Sequence, residues 1–549
     1  MGFSLRLACA AAVGVLSVAP LHAQRTTPST YAITNARLVP VSGPAIERGT
    51  IVIRNGLIAA LGTSVAVPAD ARVIDGNGLT VYPGLIDAFS TFGLPAPTGG
   101  GGGGFGGGGQ AAAAAGGSNS NYPSGIRPEN RAVDQVKPNP DAFASARGAG
   151  ITAALTAPGN GVMRGQSALI NLAGEDPFGL VVKSPVAQHI GFSGSGGGYP
   201  GSLMGVITSI RQLFLDAQRY RELQAAYARN PRGMRRPDMD PSLEALLPAL
   251  ARQQPVVMAA NSQREIERAL TIAKEFNLQL IIAGGSEAHL VADRLKAENV
   301  AVLFSTNFPR RTAAPAADAD PDPIRLLRQR AEAPAVPAKL QAAGVRMAFQ
   351  SGGISNWADW LGNARRAVEA GLSADHALRA MTLGSAEILG AADRVGSLEP
   401  GKIANLTVTR GDLFAADTRV TQVFVDGEAY DVPAPSAAAG GPGAGRPGAT
   451  GTWMLEVELD GQNQFVTLAL RQEGESLVGF YQGGFGSGEI VHGQIQADGS
   501  FRFTALLTLH STSEEAVFTG TWRGELFQGA VSIIGHDGGR FAGTRGASY

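Results

Sequence analysis

Of its 549 residues the chain has one cysteine, Cys9, and seven histidines. Cys9 lies in an apolar leader, so the rest of the chain carries no thiol, which excludes disulfides, cysteine-type zinc sites and thiol nucleophiles. Charge is also scarce: 17% of residues are charged and the net charge is -1, so there is no basic footprint for nucleic acid or an anionic membrane surface. Past the leader, no window approaches the ~18 uninterrupted apolar residues of a membrane-spanning helix. A small molecule or a protein remains as the expected partner, with no nucleic acid and no membrane insertion once the leader is removed.

The leader starts Met-Gly-Phe-Ser-Leu-Arg6, runs apolar from Leu7 to Val18 and exits through Ala19-Pro20-Leu21-His22-Ala23. A short basic start, an apolar stretch and a small residue at the exit predict a cleavable secretory signal over 1–23 and an exported protein, periplasmic or extracellular. Cys9 follows Arg6 too closely to be a lipid-attachment cysteine.

Glycine, at 74 residues, is in excess and concentrated in special segments. One runs from Thr98 to Ser120 and reads as a mobile insertion over 98–120, since poly-glycine cannot repay its ordering entropy and no phosphate-loop ending follows. Another, 433–451, is rich in Ala, Gly and Pro and reads as a linker. The length exceeds the ~250 to 300 residues that one core supports, so two or more domains are expected.

From Tyr31 to Val81, β-branched runs alternate with turn residues, and Asn55-Gly56 is a hairpin signal. This predicts a small sheet. Beyond Pro83, apolar strands alternate with amphipathic helices, as in QPVVMAAN, SQREIERALTIAKEFN, LQLIIAGG and VAVLFSTN. Such alternation predicts an α/β fold with a parallel sheet, either a (β/α)8 barrel or a doubly wound open sheet. After the linker, about eight strand-like runs separated by turns such as Asp460-Gly461 and Asp498-Gly499 predict a separate antiparallel barrel or sandwich over 452–549. Gly451-Thr452-Trp453 and the late Arg545 are similar to the lipocalin-type barrel, where an Arg packs over the Trp at the closed end.

The stretch Leu79-Thr-Val-Tyr-Pro-Gly-Leu-Ile-Asp87 resembles the first barrel strand of the amidohydrolase superfamily, which includes imidazolonepropionases and dihydroorotases. Near the far end, Arg394-Val-Gly-Ser-Leu-Glu-Pro-Gly-Lys-Ile-Ala-Asn405 is similar to its counterpart, and AVEAGLSADHALRAMTLGSAEILG resembles the helices that close such barrels. The resemblance spans roughly residues 31 to 432 and implies a (β/α)8 barrel over 83–395. It also implies that 24–82 and 396–432 pair into one composite β-sandwich. By the same resemblance the ancestral activity is hydrolysis of carbon-nitrogen bonds other than peptide bonds, using zinc or another divalent metal.

The residues that would hold that metal are missing. The superfamily motif Asp-x-His-x-His reads Asp87-Ala88-Phe89-Ser90-Thr91 here. The next two histidine positions fall at Ala259 and Gly284, and the terminal aspartate position at Gly352. None of these side chains is a good zinc ligand, so no bound metal is expected. Weak catalytic candidates are Asp87 as a base, Lys183 as a stand-in for a carboxylated lysine, Glu287 and His289. Of the other barrel histidines, His189 ends a strand candidate and His376 falls in a helix, as a solvated or capping residue. Ser193 and Ser195 lie in a glycine-rich loop without a nucleophile elbow, and Asp318 and Asp320 in a proline-rich surface loop. The resulting expectation is an exported amidohydrolase-type protein of little or no metal-dependent activity that binds a small molecule or a protein. The alternatives are an active hydrolase with a rearranged site, or ligand binding by the C-terminal β-barrel.

Overall fold

The computed structural model describes residues 30–95, 122–123, 125–193, 200–309, 323–354, 357–433 and, in the C-terminal part, 449–459, 462–473, 476–483, 486–496, 499–509, 512–523, 526–533 and 539–545. The leader, the insertion 98–120, most of the linker 433–451, Ser195, Asp318 and Asp320 lie outside the described residues. Among the described residues no helix is long and apolar enough to cross a membrane.

The two flanks of the barrel region meet in one eight-stranded mixed sheet, in the order Glu428–Asp431, Arg419–Val425, Leu406–Arg410, Leu79–Pro83, Thr30–Leu38, Ile46–Arg54 and Leu57–Gly62, with Arg72–Asp75 also paired to Thr30–Leu38. Asn55 and Gly56 turn at φ 51° and 77°, the left-handed pair a tight hairpin needs. Asp426 and Gly427, at φ 51° and 78°, repeat that turn on the other flank. The two turns stack so closely that a Cβ on Gly427 would lie 2.7 Å from the Gly56 Cα. Glycine there is what lets the two flanks of the chain join.

Seven parallel strands build the wall of the central barrel: Leu85–Ser90, Ile151–Thr156, Gln188–Gly191, Val256–Ala260, Leu280–Gly284, Ala301–Ser305 and Met347–Gln350. Between the second and third runs an antiparallel stretch, Met163–Gln166 and Ala168–Asn171, whose two halves pair with the strands on either side. Both faces of the wall are apolar. Ile86, Ala153, Leu155, Val257, Ile281, Ala283, Leu303 and Ala348 form the interior cluster, while Ile190, Met258, Ile282, Val302 and Phe349 pack outward with the helices. Burial on both faces explains the near-continuous apolar strands.

The helix Gln263–Glu275 shows why the outer layer forms. A reciprocal Ser262/Glu265 capping box starts it, and Ile266, Ala269, Leu270 and Ala273 supply its buried stripe. SEAHLVADRLKAEN is broken, with a 3-10 turn over Ala288–Val291 preceding the helix Ala292–Ala297. Among the described residues no ladder joins Met347–Gln350 back to Leu85–Ser90.

The C-terminal part is a closed barrel of eight antiparallel strands, from Gly451–Leu459 to Gly539–Arg545, each paired with its neighbour in sequence and the last with the first. Trp453 is fully buried and its indole N–H donates to the Ala449 carbonyl at 2.8 Å. Its backbone pairs with that of Arg545; the Arg545 side chain lies outside the described residues. Phe501, Phe503, Phe518, Phe527 and Phe541 fill the interior, with ring centroids of contacting pairs 4.4 to 6.1 Å apart. A groove of about 640 Å³ lies on the outer wall of this barrel, over Gly520 and Gly529 and beside Glu456, Glu458 and Arg540.

Candidate functional site

The C-terminal ends of the parallel strands form the mouth at which barrels of this kind carry their sites. Strand register decides which residues reach it. His189 pairs with Val257 and Gly191 with Ala259, and Val257 belongs to the interior cluster, so His189, Gly191 and Ala259 all face the lumen. Ala259 in turn pairs with Ala283.

This corrects one position read from the sequence. Gly284 pairs with Ala260, which packs on the helical side, so the lumen-facing residue of that strand is Ala283. The one-residue difference swaps faces because strand side chains alternate. Ala283 offers no lone pair either. Gly284 adopts φ +108°, and an added Cβ would lie 2.3 Å from the Asn261 side-chain oxygen.

Phe89 reaches inward because the ladder between the first two strands is irregular after Asp87. Its ring lies 5.4 Å from the His189 ring, tilted by 30°. Thr91 is exposed, its methyl close to Gly159. Gly352 adopts φ +63°, and a Cβ there would meet the Ser305 hydroxyl at 2.0 Å, while its carbonyl accepts from the Asn307 side chain at 3.1 Å. The amides of Phe89 and Ser351 both donate to Asp87 Oδ1, at 3.3 and 2.9 Å, which brings positions 89 and 352 to the same part of the mouth.

Three ionisable groups define the electrostatics. Asp87 is fully buried, and burial pushes its pKa up to about 6 against the lowering effect of hydrogen bonds from Ser351 and Phe89. Its Oδ2 has no hydrogen-bond partner among the described residues. His189 is also buried, its Nε2 without a partner among the described residues, and burial together with the Arg164 charge takes its pKa down to about 3, so it is neutral over the ordinary pH range. Arg164, half-buried, donates from Nε to the Gly161 carbonyl at 3.2 Å.

The other sequence candidates are engaged elsewhere. Lys183 Nζ donates to the Leu389 and Gly390 carbonyls at 3.2 and 2.6 Å, capping the helix Leu383–Ile388. Glu287 Oε2 accepts the Gln263 amide at 2.8 Å at a helix start, and its other oxygen meets Arg325 at 3.3 Å. His289 sits 3.8 Å from Glu332, with burial lowering its pKa most and Lys339 adding to that. Ser373 caps the helix that carries His376, its hydroxyl accepting from the His376 amide at 3.3 Å, and the His376 ring Nδ1 lies 2.8 Å from the same hydroxyl. Each of these four residues meets a local backbone or charge need. Arg164, Ser305 and Asn307 went unnoticed in the sequence, which gives no motif for them; only the paired strands bring them to the mouth.

A divalent ion needs three or more neutral imidazoles or carboxylates converging on one point. Among the described residues no group of three His, Cys, Asp or Glu could hold one. Asp87 Oδ1 is taken by two amides, and His189 faces a guanidinium that repels a second cation. These residues do not fit a catalytic metal.

The fold defined is a (β/α)-type barrel with a flanking sheet made from both ends of its own segment, followed by a small antiparallel barrel. Residues 257–430 match the amidohydrolase family, and the resemblance read from the sequence stands. A solved amidohydrolase from Thermotoga maritima superposes with a TM-score of 0.60 at 24% identity, covering 73% of this chain and 99% of its own. A putative prolidase from Bifidobacterium longum (TM-score 0.42, 17% identity, 73% and 95% covered) overlays more loosely. So does an adenosine deaminase from Xanthomonas campestris with bound zinc (0.39, 16%, 73% and 92%). Among the curated proteins none matches.

Proposed function

We propose that this chain is an exported amidohydrolase-type protein whose barrel mouth binds a ligand or a protein partner, with carbon-nitrogen hydrolysis through a divalent metal weak or lost. The observation that carries this reading is the composition of the lumen-facing strand ends. Phe89, Gly191, Ala259, Ala283 and Gly352 stand around the mouth, and none of them can donate a lone pair from its side chain to a metal. The closed interior of the C-terminal barrel, filled by contacting rings, argues against that barrel as the ligand-binding part.

The test is metal content after mild purification, paired with hydrolysis of a panel of cyclic amides and N-acyl compounds with and without chelator. The reading expects less than stoichiometric zinc, manganese or iron and no chelator-sensitive turnover. Robust chelator-sensitive turnover would overturn it. A second reading rests on Asp87, a buried carboxylate with one unpartnered oxygen and a pKa near 6, suited to act as a general base. Chelator-insensitive turnover abolished by Asp87→Asn would favour that alternative.

A further inference from the structure

Gly191 faces the lumen, and the space its side chain would take is filled by a guanidinium. An added Cβ would lie 2.4 Å from Arg164 Nη2 and 3.0 Å from its Cζ. Arg164 therefore enters the mouth from the antiparallel stretch of the wall, above His189. Its one hydrogen bond among the described residues leaves from Nε to Gly161, and no carboxylate there pairs with it. Asp87 is the buried carboxylate of this region, but two amides hold its Oδ1 at the gap between the first and last strands.

A half-buried guanidinium with no counter-ion among the described residues is costly to keep unless something neutralises it. Its free edge is a planar fork matched to the two oxygens of a carboxylate. Beside it the half-buried Phe89 ring lies over the His189 ring, which is buried beneath it, and His189 Nε2 has no partner among the described residues. We propose that the mouth binds a small aromatic carboxylate, its carboxylate on Arg164 and its ring against Phe89. This rests on the reading of the mouth as a binding site without a metal and adds the ligand class to it.

The experiment is calorimetric titration of the full chain with benzoate, and with benzamide as a neutral ligand of the same shape, each with and without EDTA. Benzoate is expected to bind at least tenfold more tightly than benzamide. Arg164→Gln should remove that preference, Arg164→Lys should keep part of it, and added salt should weaken benzoate alone. Equal affinities for the two compounds, or benzoate affinity unchanged in a folded Arg164→Gln, would overturn the proposal. Should Arg164→Gln fail to fold, Gly191→Ala serves instead. Its methyl displaces the guanidinium and should cost benzoate several-fold in affinity without affecting benzamide, and no change would overturn the proposal equally. Benzoate binding abolished by EDTA in a protein carrying stoichiometric metal would sink the metal-free reading instead, so the two failures are distinct.

Discussion

The Ser351 amide donates to the Asp87 carboxylate at 2.9 Å, across a gap in the described barrel wall where the first and last parallel strands share no ladder. Asp87 follows Ile86 in the first strand and Ser351 follows Gln350 in the last, so this one bond ties the barrel's beginning to its end. Removing the acceptor leaves a buried amide unpaired at that gap. Asp87→Ala should destabilise the barrel by about 2 to 3 kcal/mol, while Asp87→Asn, which keeps an acceptor, should cost less. Chemical denaturation of the three proteins at pH 5 checks the order.

The pH dependence of stability follows from two opposed groups. Asp87 has a folded pKa of about 6 against 3.8 unfolded, so its contribution is present below pH 3.8 and lost as pH rises through 6. His189 has a folded pKa of about 3 against 6.5, so its contribution is present above pH 6.5 and lost as pH falls toward 3. The slopes oppose each other between about pH 4 and 6, each at most about 1.4 kcal/mol per pH unit, within whole amplitudes of roughly 3 kcal/mol for the aspartate and 5 for the histidine. Asp87→Asn should therefore steepen the loss of stability on acidification, and His189→Gln should reverse the slope in that window. Urea midpoints measured across pH 4 to 7 would expose parallel curves if neither group carries its shift.

Restoring the superfamily's donors should fail piece by piece. Gly352→Asp puts a Cβ 2.0 Å from the Ser305 hydroxyl at φ +63°, and should destabilise by about 3 kcal/mol. Ser305→Ala alongside it should recover part of that loss. A histidine at Ala283, the lumen-facing position, should be better tolerated than one at Gly284, where a Cβ lies 2.3 Å from Asn261. Phe89→His with Thr91→His alone should bring no stoichiometric zinc, since one or two ligands hold the ion weakly. Zinc content of each variant is the readout.

In the C-terminal barrel, Trp453→Phe should lose the indole bond to Ala449 at a cost of about 1 kcal/mol. Trp453→Ala opens a cavity beside Phe527, whose ring centroid lies 4.7 Å away, and should cost about 3 to 5 kcal/mol. Limited proteolysis of the full chain should show strands of 449–545 cleaved faster in the alanine variant, with 150–430 unaffected. Equal cleavage in both variants would mean that Trp453 does not anchor the barrel.

Local chemistry was enough for much of the architecture. Asn55-Gly56 specifies its turn because both residues tolerate positive φ, the Ser262/Glu265 pair marks a helix start, and apolar strands spaced by amphipathic helices imply a covered parallel sheet. That Phe89, Thr91, Ala259 and Gly352 carry no side chain that binds zinc well was equally legible, because a residue's ability to ligate is a property of its side chain alone. Direction and neighbours were not. The face on which Gly284 falls depends on its pairing with Ala260, and a one-residue shift in a strand reverses it. Lys183, Glu287 and His289 looked available until the chain brought Leu389, Gln263 and Glu332 to them from distant positions. Arg164 was unremarkable until strand pairing set it over a glycine inside the mouth, because only the fold decides which residues far apart in sequence share one small volume.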